Sequence, residues 1–357
     1  MKSQKIFWTT HLLIISLIAS NLYAQSKYIK QEVIRFKAGF DHPTKGPAKE
    51  NQLGFSENEG FHGPTAINCD NDGNVLILDT ANHRIQKFSP NGSFLESIKI
   101  DNGKRQSGQH FCIDDNGNIY VLEQSPPIDP NFRSYLSTGQ GNSRKNPYEI
   151  RVYNNRNELI LTFFLPLSHD WMVATKIFPT LLYIGPDKNL YVGGLAFNLL
   201  KLGTLGEFNN IKTVITNLDS IVYGIPLLEK NSFITTLTNI KEYKLNTKIY
   251  STIENKIINY DSIFGPSYVI RLLLKTDKNG NNYFSVSNRS LLQKDDGLDY
   301  REICVVDKNG NVTTFIKDLP DNLNESAIQD LAVDNDGNIY YLHFTAGEGV
   351  LVKWSIK

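Results

Sequence analysis

One pattern recurs along this chain and constrains its fold more than its length does. An apolar strand leads into an acidic, Asn- and Gly-containing turn, and a second apolar strand follows. AINCDNDGNVLIL occupies 66–78, HFCIDDNGNIYVL 110–122, LLLKTDKNGNNYF 272–284 and LAVDNDGNIYYL 331–342. Weaker copies stand at 182–192 (LYIGPDKNLYV) and 225–235 (IPLLEKNSFIT). Asn-Gly and Asp-Gly between apolar runs mark tight hairpins, because such turns need positive φ. The six turns centre near Gly73, Gly117, Lys188, Asn231, Gly280 and Gly337, at spacings of 44, 71, 43, 49 and 57 residues.

A base period of about 40 to 50 residues suits a four-stranded propeller blade. Further strand pairs follow the hairpins. His83–Phe88 and Phe94–Ile98 flank Pro90-Asn91-Gly92, and Glu149–Tyr153 precedes Leu159–Phe164. Glu302–Val306 and Val312–Ile316 flank Lys308-Asn309-Gly310. The last unit has room for only three strands, the third at Gly349–Ser355. The alternating segment Ile29–Phe36 is the expected fourth, which would close the ring and remove an exposed edge. The expectation is an all-β, six-bladed propeller of four-stranded blades, a single domain over 25–357.

The segment Gly63–Leu95, GPTAINCDNDGNVLILDTANHRIQKFSPNGSFL, resembles an NHL repeat. Pro64, Asp70, Gly73-Asn74, Asp79, Asn82, His83-Arg84-Ile85, Phe88 and Asn91-Gly92 carry the likeness. The second and sixth units keep the Asp-Gly-Asn core without the Asn-His-Arg-Ile segment. The resemblance implies a six-bladed propeller and no single activity, since fold does not determine function. It also implies that Asp79 and Arg84 pair to hold adjacent strands, so His83 and Arg84 are read as structural. The Asp70-Asn71-Asp72-Gly73 and Asp334-Asn335-Asp336-Gly337 runs are hairpin turns. A calcium-binding EF-hand loop counted from Asp70 would need a Glu near position 12, where Ala81 stands.

The N-terminus reads as a secretory signal over residues 1–24. Lys2 and Lys5 precede an apolar run, with a cut expected after Ala24. That run is short for a membrane span, so a secreted or periplasmic protein with no span after cleavage is expected. Lys plus Arg and Asp plus Glu both number 37, which argues against nucleic acid as a partner, since phosphate binding calls for a basic excess. Cys69, Cys112 and Cys304 are odd in number and widely spaced, and are read as buried thiols rather than a disulfide or zinc framework.

With the four strands of each blade lettered A to D in chain order, A innermost, propeller geometry places the D–A entries and B–C loops on one face, around a funnel. Aligning the starts of the first strands puts His62, Thr65, Gln109, His110, Thr180, Tyr223, Arg271, Gln329 and Asp330 at its rim. Of these, His62, Gln109, His110, Tyr223, Arg271, Gln329 and Asp330 are the candidate ligand-binding residues. Two insertions, Gln124–Pro147 and Leu291–Asp299, fall between second and third strands and would overhang that rim. Long loops of this kind are usually functional or disordered.

Two functions remain open. The first is a non-enzymatic, monomeric binding scaffold for a protein, peptide or glycan, with no catalytic residues and no cofactor. The alternative is a metal-dependent, lactonase-like hydrolase or lyase. It would hold a divalent metal in the funnel, with Asp330, Glu123, His62, His110, His169 and His343 as the available ligands or bases.

Overall fold

The computed structural model describes residues 28–40, 47–56, 63–100, 107–124, 148–165, 179–184, 188–194, 200–204, 212–213, 221–227, 232–239, 244–251, 256–259, 268–288, 301–307, 311–317, 319–323, 329–345 and 347–356. The signal segment, His62, His169 and nearly all of both insertions lie outside them.

β1 (Tyr28–Ala38) and β2 (Gln52–Leu53) come first in the chain. Sheet 1 then comprises β3 (Ala66–Cys69), β4 (Val75–Asp79), β5 (Arg84–Phe88) and β6 (Phe94–Lys99). Sheet 2 comprises β7 (Ser107–Ile113), β8 (Ile119–Gln124), β9 (Tyr148–Tyr153) and β10 (Leu159–Phe164). Sheet 3 is β11 (Pro179–Ile184), β12 (Asn189–Gly194), β13 (Leu200–Thr204) and β14 (Lys212–Thr213). Sheet 4 is β15 (Ile221–Leu227), β16 (Ser232–Asn239), β17 (Lys244–Ser251) and β18 (Lys256–Asn259). Sheet 5 is β19 (Tyr268–Thr276), β20 (Asn282–Asn288), β21 (Arg301–Val306) and β22 (Val312–Ile316). Sheet 6 holds β23 (Leu331–Val333), β24 (Ile339–Thr345) and β25 (Glu348–Ile356), to which β1 adds antiparallel and β2, beyond it, parallel. Each sheet is an antiparallel meander of chain neighbours apart from the β1 and β2 additions. The first strands touch in order from β3 to β7, β11, β15, β19 and β23, and β23 touches β3. This is a β-propeller.

The recurrent turns explain why these segments form hairpins. Asp70 Oδ1 accepts from the backbone N–H of Asp72 and Asn74, and its Oδ2 accepts from Asn74 Nδ2. Asp114, Asp277 and Asp334 repeat that arrangement. The carboxylate thus replaces backbone partners that the turn itself cannot offer. The glycines Gly73, Gly117, Gly280 and Gly337 sit at φ +78° to +83°, which a side chain would strain.

Apolar faces meet between successive sheets. Phe36, Tyr340, Leu342 and Phe344 of sheet 6 pack with Ile67, Val75, Ile77 and Phe88 of sheet 1. Leu76 and Leu78 of sheet 1 pack with Phe111, Ile119 and Val121 of sheet 2. Tyr120 and Leu122 of sheet 2 meet Leu182 and Leu190 of sheet 3, and Tyr283 and Ile303 of sheet 5 meet Leu331 and Ile339 of sheet 6. The cysteines are free and buried, and burial raises all three thiols above their ordinary range.

The Asp79–Arg84 pairing expected from the NHL resemblance forms at 2.9 Å between adjacent strands. It reaches further than expected. Arg84 also donates to the carbonyls of Ala48, Lys49 and Gln52, Asn82 Nδ2 to Gly39 O, Gln86 Nε2 to Gln52 O, and Gly54 N to Asp79. The signature residues therefore tie sheet 1 to the segment that leaves β1. His83 occupies the left-handed turn between β4 and β5, at φ 48°, a structural position.

Candidate functional site

The face carrying the D–A entries and B–C loops gathers several of the expected rim residues. His110, on β7, is 1% exposed. The Leu182 N–H on β11 donates to its Nδ1 at 3.2 Å, which leaves the proton on Nε2. Nε2 therefore donates to Gln329 Oε1 at 3.0 Å. Gln329 Nε2 donates in turn to Ile67 O at 3.0 Å, and its backbone pairs with β3 through Ile67 N and Thr65 O. One hydrogen-bonded belt thus links sheets 3, 2 and 1 to the residue that enters sheet 6. Desolvation holds the His110 imidazole down at a pKa of about 4, against the opposing pull of Gln329, so it is neutral at neutral pH.

Thr65 and Thr80 share a hydroxyl contact of 2.9 Å, and both reach Gly108 O at 3.3 Å. Asp330 receives a bidentate Arg301 at 2.8 and 2.7 Å and the Asn322 amide at 2.8 Å. Fork-to-fork pairs of this kind fix orientation as well as charge. The Arg301 guanidinium also meets the Tyr341 hydroxyl at 3.2 Å and lies 5.7 Å from its ring centre. His343 stacks on the same Tyr341 ring at 5.6 Å, and burial, with Lys30 next, lowers its pKa. Glu123 and Glu149 both pair with Arg151, whose Nη1 binds Ile100 O.

The expected rim residues divide accordingly. His110, Gln329 and Thr65 come together, while Asp330 lies in the Arg301 cluster. Gln109 is part-buried on β7. Tyr223 and Arg271 fall in β15 and β19, with side chains outside the described set. Glu123, weighed as a second metal carboxylate, is instead in an ion pair within sheet 2. Among the described residues no three His, Cys, Asp or Glu side chains gather as a cation cage, and no helix is long and apolar enough to cross a membrane. Sequence reasoning missed Arg301 and Arg151. Arg301 shares its face of β21 with Ile303 and Val305, and Arg151 stands two residues from Glu149 on β9; these were the available signals.

Residues 61–88 match the NHL repeat family. No curated protein matches the chain. Among solved structures, a streptogramin B lyase is similar at 12% identity and a TM-score of 0.49, over 94% of this chain and 99% of the other. A catalytically inactive virginiamycin B lyase from Staphylococcus aureus, with quinupristin, is similar at 12% identity and a TM-score of 0.48, over 93% and 100%. A Bacteroides caccae protein of unknown function is similar at 13% identity and a TM-score of 0.45, over 72% and 82%. The family match at residues 61–88 falls on β3, β4 and β5, so this β-propeller carries an NHL repeat in sheet 1.

Proposed function

We propose that this chain is an exported, monomeric binding scaffold. Its six sheets act as six blades of one ring, with β1 as the outer strand of the last blade. The signal segment 1–24 directs it to the periplasm or medium. The ligand is a protein, peptide or glycan, taken up on the face that carries the D–A entries and B–C loops. Gln109, Tyr223, Arg271 and His62 form the contact rim there, and the 124–147 and 291–299 insertions add to it.

The observation that carries this reading is the belt from Leu182 through His110 and Gln329 to Ile67. It uses both ring nitrogens and both amide atoms of its central residues. Such a hub favours rigidity over proton transfer, and rigid hubs with variable loops are how propellers and similar folds present binding surfaces. The mixed polar rim suits neutral or zwitterionic ligands.

The test compares residues 25–357 with a variant whose 125–147 segment is replaced by a short Gly-Ser linker, on glycan and peptide arrays. Saturable binding to the parent, lost in the variant at an unchanged melting temperature, is the expected result. Turnover of lactone or lyase substrates that stops on chelation would replace this reading with the metal-dependent one. Chelator is expected to leave the melting temperature unmoved, since only a metal held by the native state would raise it.

A further inference from the structure

The four well-formed Asp turns differ at one place. Six residues after the turn aspartate, three of them carry a tyrosine whose hydroxyl meets that carboxylate. Tyr120 reaches Asp114 at 3.2 Å, Tyr283 reaches Asp277 at 3.1 Å and Tyr340 reaches Asp334 at 3.4 Å. Each ring fills the seam between its own sheet and the next. In sheet 1 the equivalent residue is Leu76, which faces sheet 2.

A cavity of about 380 Å³ opens in that seam, lined among others by Asp70, Leu76, Lys87, Glu96, Ile113 and Asn157. It falls within the range of small-ligand pockets, about 300–1,000 Å³. Sheet 6 shows what such a place holds when it is filled. Tyr340 is paired across the strands with Lys353, and the Lys353 ammonium stands 5.3 Å from the tyrosine ring centre. Leu76 is paired in the same way with Lys87. Sheet 1 therefore keeps the aspartate, the asparagine and the lysine of sheet 6 and lacks only the ring. With no tyrosine there, Lys87 Nζ turns to Asp70 at 3.1 Å and Glu96 at 3.4 Å.

We propose that the cleft between sheets 1 and 2 binds a phenolic ring supplied by a ligand, in the place where three other seams carry a tyrosine of their own. The ring would lie over Leu76 and Ile113 with Lys87 above its face, a cation–π arrangement. Its hydroxyl would donate to Asp70, as the tyrosines do in the other turns. The source is either a free small phenol or a tyrosine side chain within a peptide. The cleft opens on the A–B turn face, opposite the proposed rim, and stands independently of it.

The probes are N-acetyl-tyrosinamide, p-cresol and N-acetyl-phenylalaninamide, titrated by calorimetry and followed by thermal melting. Both phenols are expected to bind and to raise the melting temperature. The phenylalanine analogue should bind about tenfold more weakly, the value of one hydrogen bond to a charged group. Tighter binding of the tyrosine amide than of p-cresol indicates a peptide source, and equal binding a small phenol. Leu76→Tyr fills the cleft from within, so it should melt higher than the parent and bind no phenol. Lys87→Met, which keeps the aliphatic stem, should fold and weaken phenol binding about tenfold. Absence of phenol binding, equal affinity for the phenylalanine analogue, or undiminished binding in either variant overturns the proposal.

Discussion

The Arg84 guanidinium meets one carboxylate, Asp79, and three backbone carbonyls at 48, 49 and 52, while being 8% exposed. Desolvation raises the Asp79 pKa, against the hydrogen bonds of Asn82 and Gly54 and the charge of Arg84. Removing the arginine would leave that carboxylate and those carbonyls buried without it. Arg84→Met is expected to cost about 3–5 kcal/mol in urea unfolding, the scale of a broken buried ion pair. His110 gives a second residue-scale expectation, and its sign follows from its depressed pKa. Unfolded, the imidazole takes a proton near its ordinary pKa of 6.5; folded, it resists until about 4. Its contribution to stability is therefore intact above pH 6.5, and it shrinks as pH falls toward 4. Over that window the loss is about 3 kcal/mol. His110→Gln should flatten the melting-temperature profile between those pH values. A profile as steep as the parent's would assign the acid sensitivity elsewhere.

The hairpins were legible because their chemistry is local. An aspartate, a positive-φ glycine and an asparagine four residues on are enough to specify the turn, and the four strongest copies form as read. Asp114→Ala removes partners from two backbone N–H groups and from the buried Tyr120 hydroxyl. It should cost about 1–3 kcal/mol in denaturant unfolding, and a neutral result would mean that water replaces the carboxylate. Long-range partners were not legible. Aligned strand starts placed His110 and Gln329 on one rim, yet nothing local says that residues 219 apart in sequence share a hydrogen bond. Leu76 is one apolar residue among several in the string AINCDNDGNVLIL. Its meaning appears only when cross-strand register sets Lys87 beside it and Lys353 beside Tyr340. Residues 125–147 and 291–299, and His62, lie outside the described residues.

At the scale of the whole molecule, each sheet packs mainly on its neighbours, so stability depends on the seams between them. At the seam between sheets 6 and 1, β1 lies on the sheet 6 side. It pairs with β25 along nearly its whole length. Phe36 is fully buried and meets the Phe88 ring of sheet 1 edge-on at 5.3 Å. Beyond β1, the chain is fastened to sheet 1 by Arg84, Asn82 and Gln86. Deleting residues 25–38 therefore removes an outer strand of sheet 6 and cuts the 39–54 clasp on sheet 1 free of it. Losing the Phe36 ring alone is worth about 3–5 kcal/mol, comparable to half the stability of a typical domain. The truncated chain should melt far below the parent. If it still folds, native-state hydrogen exchange should show amides of β3 to β6 and β23 to β25 losing protection first, with sheet 2 more resistant. The order matters because a uniform loss would mean that the sheets unfold as one unit whatever joins the ends. Unchanged melting would mean that the contacts of β3 with β23 hold the seam without a clasp.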